Sequence, residues 1–274
     1  MNLFDELQGL MMKYHFRPEK KLSQFFCINE ALLLFLAKTA ELKKDDIVLE
    51  VGPGTGFLTR QLLKKSKVIA VEKDETMFDL LSKEFEKEIK SKELVLINGD
   101  VLDQDFNKLG INKIVSLPPY HISSELLTKI TMSKIKKAVL VLDKGFIEKL
   151  TAFEGMKEYN SITVMINLNG KVEIKEVIDA ASFFPSPNCQ SAVIEINFKV
   201  KNNSREFYLF LKEIFRHKNK DFSRALKQAM PFLEKELKWK KSFAKKIDSI
   251  KNPTRKVYLN TPEELFKTFE ILKE

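Results

Sequence analysis

The feature that most constrains the fold of this chain is a buried strand that runs directly into a glycine-rich turn. Residues 47–56 read Ile-Val-Leu-Glu-Val-Gly-Pro-Gly-Thr-Gly. Two further apolar strands are each followed by a carboxylate: Glu72 after Val68–Val71, and Asp100 after Leu94–Ile97. Ligands of open α/β sheets bind outside the carboxyl ends of the strands. The pattern therefore predicts such a sheet, with a ligand held by the turn and the two carboxylates.

Strands and helices alternate along most of the chain. Further strands are predicted at 113–116 and 138–142, and the stretch 192–198 alternates like a half-buried strand, whereas the apolar stretch 162–167 is left unassigned. This β-α order predicts a largely parallel sheet with helices on both faces. The predicted helices are 29–42, with Asn29 as N-cap, 57–65, 75–88, one from Ser123 and one from Phe146, then 205–216, 221–229, 232–237, 239–247 and 262–272.

The fold class predicted from this order is α/β, a Rossmann-like sheet followed by a small C-terminal helical domain. We place the sheet domain, with an N-terminal extension, at residues 1–200 and the basic helical domain at 201–274. The net charge of the chain is +9, and residues 199–274 hold 20 of its 47 Lys and Arg but only 10 of its 38 Asp and Glu. A localised basic excess is typical of a polyanion-binding surface. A solvated basic surface without a partner is the alternative.

Other features bound the class of protein. No run of about 18 apolar residues is present, so we expect no transmembrane helix, and the N-terminus lacks a secretory apolar region. Cys27 and Cys189 are far apart, which suits buried thiols in a reducing compartment. No His/Cys cluster has metal-ligand spacing, so no metal is expected. We predict a cytoplasmic monomer without membrane association.

The glycine spacing indicates which ligand the turn holds. A dinucleotide site requires G-x-G-x-x-G, whereas this chain has G-x-G-x-G after Glu50. Glu72 is placed to accept the hydroxyls of a ribose, and Asp100 to meet the exocyclic amine of an adenine. Glu50 and the turn suit the amino-acid tail of S-adenosylmethionine, which is the predicted cofactor. A purely structural glycine turn in another α/β protein is the alternative.

Leu117-Pro118-Pro119-Tyr120 directly follows the fourth strand. Consecutive prolines stop a sheet and fix a rigid backbone, so carbonyls and the Tyr120 ring are presented at the rim of the crevice. Acceptors and an aromatic face are what N-methylation of a nucleobase amine needs. A strand-ending turn with Tyr120 as a packing residue is the alternative.

The Pro-rich loop 182–187 contains Phe183 and Phe184, one of which can clamp the far face of a base. Enzymes that modify a base amine inside a structured nucleic acid take that base out of the stack. Burial of both rings in the core is the alternative.

Taken together, these residues resemble the KsgA-type rRNA adenine N6-dimethyltransferases, and also the related Erm enzymes, over nearly the whole chain. The archaeal and eukaryotic members are the most similar. The matching segments are 17–26, Glu50–Gly56, Val71-Glu72, Gly99-Asp100, Pro119–Ser124, Glu154-Gly155, Lys157–Tyr159, Phe183–Pro187 with Ser191-Ala192, and Ile214–Lys220.

The resemblance implies an S-adenosylmethionine-dependent enzyme that methylates adenosines near the 3′ end of small-subunit rRNA, in a pre-small-subunit particle. Tyr120 and Phe183 would sandwich the target adenine beside Leu117, Pro118 and Pro119, and the basic helix would bind RNA through Arg216, Lys218, Lys220 and Arg224. The expected cofactor contacts are Gln24, Phe26, Glu50, Gly52, Gly54, Gly56, Glu72, Lys73, Asp100 and Val101.

Departures from the family pattern concern mainly the target side. Leu117 stands where the family has an asparagine that accepts the adenine amine, Ser23 replaces a glycine, and Phe25 replaces a polar residue. Losing one preorganised hydrogen bond typically costs about 10²–10³ in rate, so reduced activity is expected. Two alternatives stay open: a methyltransferase acting on DNA or another RNA, and a weakly active or non-catalytic assembly factor that binds pre-rRNA.

Overall fold

The computed structural model describes residues 2–19, 24–199, 204–239, 246–247 and 250–273. It divides the chain into two compact units. The first comprises Met1–Ile147 and Val172–Phe198, and the second comprises Glu148–Lys171 and Lys199–Glu274.

The first unit is built on a seven-stranded sheet. Its strands are β2 (Ile47–Val51), β3 (Lys67–Glu72), β4 (Leu94–Asn98), β5 (Lys113–Ser116), β6 (Lys137–Asp143), β7 (Gly170–Ile178) and β9 (Ser191–Phe198). Their order across the sheet is β4-β3-β2-β5-β6-β9-β7. Strands β2 to β6 pair in parallel, and β9 runs antiparallel to β6. Four of the five residues of β2 and five of the six of β3 are buried, as expected of parallel strands covered on both faces. The predicted fold class is confirmed.

A two-stranded antiparallel sheet lies in the same unit. It pairs β1 (Phe26–Cys27) with β8 (Phe183–Phe184), in the register Phe26↔Phe184 and Cys27↔Phe183. The helices of this unit are α1 (Leu3–Lys13), α2 (Glu30–Thr39), α3 (Phe57–Leu63), α4 (Glu75–Glu84), α5 (Glu86–Lys90) and α6 (Ser123–Thr131). Their starts follow local chemistry, since the side chains of Asn29 and Asp74 accept backbone N–H groups of α2 and α4 as N-caps.

The second unit is helical. Helix α7 (Lys144–Thr151) crosses the boundary between the units, and α8 (Ser161–Asn169), α9 (Arg205–Phe215), α10 (Phe222–Leu237) and α11 (Pro262–Lys273) follow. In α9, Phe207, Phe210 and Ile214 are fully buried at the spacing of one helix face. The rings of Phe207 and Phe210 pack against Phe269 of α11, with centroids 5.1 and 5.5 Å away.

Several elements differ from the sequence prediction. The unassigned stretch 162–167 is part of helix α8, and β7 was not predicted. The two helices predicted at 221–229 and 232–237 form one helix, α10, with Pro231 inside it. A proline removes one helical hydrogen bond, but buried apolar residues continue on both sides of it, with Ala229 before and Leu233 after. The helix predicted at 239–247 lies mostly outside the described residues.

The compact units also differ from the division at residue 200. Residues 148–171 belong to the second unit because α8 packs against α9 and α11. A helix is assigned by the elements that cover its apolar face, and those elements lie much later in the sequence. The predicted roles of the two domains stay predictions.

Candidate active site

The carboxyl ends of four neighbouring strands, β4-β3-β2-β5, border a cavity of about 430 Å³. This volume lies within the range of about 300–1,000 Å³ that is usual for small-molecule sites. Its walls come from the turns that follow these strands, together with the segment around β1. The lining includes Gln24–Cys27, Glu50–Thr55, Val71–Asp74, Gly99–Val101, Leu117, Pro119, His121 and Ile122.

The glycine turn after β2 approaches the carboxylate at the end of β3. The backbone N–H of Gly54 donates to Glu72 Oε2 at 3.1 Å. Gly54 has φ +57°, and a Cβ built on it would lie 3.0 Å from the ring of Phe26. The left-handed conformation and the close ring together require glycine here. The backbone of the turn therefore forms part of the cavity wall, and a larger residue at position 54 would push it away from Phe26.

Glu50 places a buried carboxyl in the cavity wall. Its side chain accepts a hydrogen bond from the Thr59 hydroxyl at 2.6 Å, and the residue is 2% exposed. Burial raises the pKa of Glu50 to about 8, against the opposing effect of the Thr59 hydrogen bond; the charge of Glu72 raises it further. Without a ligand, this carboxyl is therefore largely protonated at neutral pH. A cationic ligand group beside it would favour the ionised form.

Glu72 is held by backbone donors on both carboxylate oxygens. Its Oε1 accepts the N–H groups of Lys73 and Asp74, both at 2.9 Å, and Oε2 accepts that of Gly54. Burial raises the pKa of Glu72, while these three hydrogen bonds oppose the rise. A carboxylate offers about four acceptor positions. As placed, Glu72 has room for one ligand hydroxyl, and a second must share a position.

Asp100 carries two hydrogen bonds that fix its carboxylate at the third strand end. Its Oδ1 accepts the backbone N–H of Leu102 at 2.8 Å, and its Oδ2 pairs with the Lys73 ammonium at 2.9 Å. Both contacts lower the pKa of Asp100. Because the Lys73 side chain is 76% exposed, it can leave Oδ2 when a ligand donor arrives. Val101, buried next to Asp100, supplies an apolar wall.

Gln24 links the segment before β1 to the end of β3. Its amide nitrogen donates to Asp74 Oδ2 at 3.0 Å, and its amide oxygen accepts the backbone N–H of Glu19. The other oxygen of Asp74 accepts the backbone N–H of Met77 at the start of α4. One carboxylate thus caps a helix and anchors a predicted cofactor contact.

The opposite rim begins where β5 ends. The Ser116 hydroxyl donates to the Val51 carbonyl at 2.7 Å and accepts the Val51 N–H at 3.2 Å, which locks the ends of β5 and β2 together. Leu117 and Pro119 then line the cavity. This lock sets the distance between the glycine turn and the proline turn.

Tyr120 is held by two contacts at this rim. Its hydroxyl hydrogen-bonds Ser191 Oγ at 2.7 Å, and its ring lies nearly parallel to that of Phe25, with 6.1 Å between centroids and 26° between planes. Burial raises the pKa of the Tyr120 hydroxyl, so the group stays protonated at neutral pH. The ring is therefore positioned as a neutral aromatic surface.

Comparison with known proteins identifies the family. The sequence profile of the family described as "Ribosomal RNA adenine dimethylase" matches residues 15–271. The chain belongs to this family. A probable ribosomal RNA small subunit methyltransferase A from Pyrococcus furiosus is 34% identical over 274 residues, covering 98% of this chain and 97% of the relative. Its counterpart from Methanopyrus kandleri is 34% identical over 232 residues, covering 82% of each chain.

Solved structures agree with membership of the rRNA adenine dimethylase family. A dimethyladenosine transferase from Plasmodium falciparum superposes with a TM-score of 0.74 at 26% identity, over 89% of this chain and 95% of that one. The 23S rRNA methyltransferase ErmE, with a TM-score of 0.62 and 21% identity over 91% and 100% of the chains, shows the same fold. The predicted family, the rRNA adenine methyltransferase class and S-adenosylmethionine as cofactor are thus confirmed. The roles of individual residues stay predictions.

Nine of the ten predicted cofactor contacts line the cavity of this rRNA adenine dimethylase. The tenth, Gly56, lies outside that lining and starts α3 with φ +78°. A Cβ on Gly56 would lie 2.4 Å from the ring of Phe85. Packing against Phe85 therefore explains why residue 56 is a glycine. The nine lining residues are Gln24, Phe26, Glu50, Gly52, Gly54, Glu72, Lys73, Asp100 and Val101.

The predicted target-base residues are brought together less completely. Leu117 and Pro119 line the cavity, whereas the buried Pro118 and the half-buried Tyr120 do not belong to its lining. Phe183 is 3% exposed and belongs to the hydrophobic core, on the strand that pairs with β1. As placed, its ring has no free face for a base. Its role as a base clamp stays a prediction that requires the loop to rearrange.

The four predicted RNA-binding cations all lie in the second unit and all have partners there. Lys218 donates to the Lys157 carbonyl, Lys220 to the Gln228 side chain, and Arg216 pairs with the buried Glu213 at 2.9 Å. Arg224 lies 3.6 Å from Asp221. These contacts are at the surface and weak, so they do not prevent the side chains from meeting a polyanion.

Sequence reasoning missed several residues of the cavity wall. Asp74 follows Glu72 by two residues and is the N-cap of the next helix, a signal that could have found it. Phe25 adjoins Gln24 but was noted only as a departure from the family pattern. His121, exposed at the rim, directly follows Tyr120. Each of these lies within two residues of a predicted contact, so adjacency was the available signal.

Two kinds of feature are absent from the described part of the chain. No helix there is both long enough and apolar enough to cross a membrane. Within the same residues, no three His, Cys, Asp or Glu side chains are grouped so as to hold a metal ion.

Proposed function

We propose that this rRNA adenine dimethylase transfers methyl groups from S-adenosylmethionine to N6 of adenosines near the 3′ end of small-subunit rRNA. The observation that carries the proposal is the cavity in which three carboxyl side chains, Glu50, Glu72 and Asp100, lie at adjacent strand ends opposite the Leu117–Tyr120 turn. The similarity to archaeal proteins named small subunit methyltransferase A supports the choice of RNA.

The residues present fit S-adenosylmethionine. Glu72 keeps an acceptor position for a ribose hydroxyl, and Asp100 offers an ionised oxygen once Lys73 moves aside. The buried carboxyl of Glu50 provides a countercharge for a cationic group, and Val101 and Phe26 supply apolar walls. When bound, the cofactor supplies a methyl group made electrophilic by its sulfonium.

The proline turn would prepare the acceptor amine. The lone pair of an adenine amine is delocalised into the ring, so hydrogen-bond acceptors must draw it out of conjugation. Within the described residues, the carbonyls of Pro119 and Tyr120 already accept bonds from Ile122 and Ser123. We propose the carbonyls of Leu117 and Pro118 as the acceptors of this turn for the amine. Tyr120 would stack on the base.

The second unit would provide the RNA contact. The basic excess of residues 199–274 and the exposed cations around Lys218 and Lys220 support this role. We further propose that the protein acts in the cytoplasm on an immature small subunit, because the substrate is ribosomal RNA, and that it acts as a monomer.

Methyl transfer tests the proposal directly. Purified protein is incubated with labelled S-adenosylmethionine and small subunits from cells that lack this gene, and the rRNA is digested and analysed by mass spectrometry. We expect methylated adenosines near the 3′ end, and the same positions modified in native rRNA. If the rRNA of immature subunits gained no label, and DNA or another RNA were labelled instead, the choice of substrate would be overturned.

Leu117 favours a second candidate function, an assembly factor that binds pre-rRNA with little or no catalysis. The side chain is apolar where the family resemblance implies an amide acceptor, and it lines the cavity. This candidate predicts subunit binding without methyl transfer, even in a Leu117→Asn variant. The family comparisons do not favour it.

A further inference from the structure

We propose that Phe25 forms the second aromatic face of the slot for the target adenine, opposite Tyr120. The inference rests on the proposed function, because it assigns a positioning residue to that reaction. Its basis is the near-parallel pair of rings at the rim of the cavity, 6.1 Å apart and inclined by 26°.

The position of Phe25 suits contact with both a cofactor and a base. Its side chain is half-buried and lines the cavity together with Leu117 and Pro119. Its backbone is anchored on both sides, since Gln24 is tied to Asp74 and the next residue, Phe26, pairs with β8. The ring can therefore rotate about its own side-chain bonds while its Cα stays in place.

The Tyr120 ring is the fixed partner of this pair. Its hydroxyl is held by Ser191 at 2.7 Å. The near-parallel arrangement contrasts with Phe16–Phe26 and Phe4–Phe184, which meet edge to face at 71° and 68°. A base inserted between two rings needs two stacking intervals of about 3.4 Å each. The 6.1 Å between ring centroids is less than that sum, so the Phe25 ring must move away from Tyr120 to admit a base.

Two other observations assign the role to Phe25. Phe183 is 3% exposed in the core and offers no face. Leu117 has no side-chain acceptor, so stacking must contribute more to holding the base than in a site with an amide at that position. Stacking on aromatic side chains is sequence-tolerant and strong enough to position a flipped base.

The experiment compares Phe25→Leu and Phe25→Tyr in the full-length protein. We expect Phe25→Leu to raise KM for rRNA about 10-fold, and Phe25→Tyr to restore it to within about 2-fold, because the tyrosine retains the ring. The affinity for S-adenosylmethionine, measured by calorimetry, should change much less. Phe35→Leu is the matched control, since Phe35 is a half-buried phenylalanine outside the cavity lining.

A spectroscopic signal separates stacking from a merely structural role. Substrate RNA carrying 2-aminopurine at the methylated position should be quenched by wild type and brighter with Phe25→Leu. Equal KM and equal quenching in both Phe25 variants would overturn the inference, as would a loss explained entirely by weaker cofactor binding. In either case wild-type methyl transfer would leave the proposed function standing, whereas absent wild-type transfer would refute that function itself.

Discussion

At the residue scale, Glu50 couples the stability of the fold to pH. Its folded-state pKa of about 8 lies above the ordinary value of 4.5, so between these pH values the folded chain binds the proton more tightly than the unfolded chain. The contribution of this group to the free energy of unfolding is complete below pH 4.5 and declines as pH rises to 8. We expect Glu50→Gln to remove that decline.

Urea unfolding of both proteins at pH 5.5 and 8 measures the effect. Between pH 5.5 and pH 8, the free energy of unfolding of wild type should fall, relative to that of Glu50→Gln, by an amount on the order of a few kcal/mol. The variant keeps the shape of the side chain and an acceptor for Thr59. Parallel pH profiles for the two proteins would contradict the raised pKa.

The same residue makes cofactor affinity pH-dependent. A cationic ligand favours ionised Glu50, so wild-type affinity for S-adenosylmethionine should increase from pH 6 to 8, with proton release that is visible by calorimetry in buffers of different ionisation enthalpy. Glu50→Gln should bind more weakly and with a flatter profile. A wild-type affinity that is constant over this range would argue against Glu50 as the countercharge.

Leu117 controls how well the acceptor amine is prepared. Leu117→Asn adds a side-chain acceptor at the cavity wall, and we expect it to raise the methyl-transfer rate about 10²-fold, the effect typical of one preorganised hydrogen bond. Leu117→Ala is the control, because it removes the apolar bulk without adding an acceptor. Single-turnover kinetics on small subunits measures both. An unchanged Leu117→Asn rate would show that backbone carbonyls already suffice.

At the element scale, the start of α3 depends on Gly56. Gly56→Ala would force a side chain into a left-handed backbone conformation and into the Phe85 ring, 2.4 Å away. We expect a loss of at least about 2 kcal/mol in the free energy of unfolding. Gly9→Ala in α1 is the control, since its Cβ meets nothing within 4 Å, and it should stabilise by about 0.5–1 kcal/mol. Equal free energies of unfolding for the Gly56→Ala and Gly9→Ala variants would contradict this packing role.

The elements of the sheet were predicted well because each carries its own signal. Strand β2 has the predicted bounds, β4 is one residue longer at one end, and β3 and β6 are one residue longer at each end. These parallel strands were found because they appear as continuous apolar runs. Helix α8 and strand β7 were not predicted. Their sequences are ambiguous locally, and the elements that cover them decide between helix and strand.

At the scale of the whole molecule, the charge asymmetry predicts salt-dependent RNA binding through the second unit. Lys218→Glu with Lys220→Glu should weaken binding of small-subunit rRNA and reduce the slope of log K against log salt by about 1.5, because each phosphate contact contributes about 0.7–0.9. Filter binding between 50 and 300 mM salt measures this change.

Lys44→Glu with Lys87→Glu in the first unit matches the change in net charge and controls for long-range repulsion. Both of these lysines are exposed. The midpoint temperature of thermal unfolding should change by no more than a few degrees in either double variant. If both pairs of charge reversals weaken RNA binding equally, the loss is due to the change in net charge alone, and the second unit has no special role in binding.

The sequence by itself determined the alternation of strands and helices, the glycine turn and the carboxylates at the strand ends, because these depend on local periodicity and on the fixed direction of parallel strands. Only the tertiary structure decided which of those residues line the cavity. In that structure, Gly56 packs against the Phe85 ring, Phe183 lies in the core, and the Phe25 ring lies nearly parallel to that of Tyr120. Side-chain burial and ring orientation depend on neighbours distant in sequence, and no local pattern encodes them.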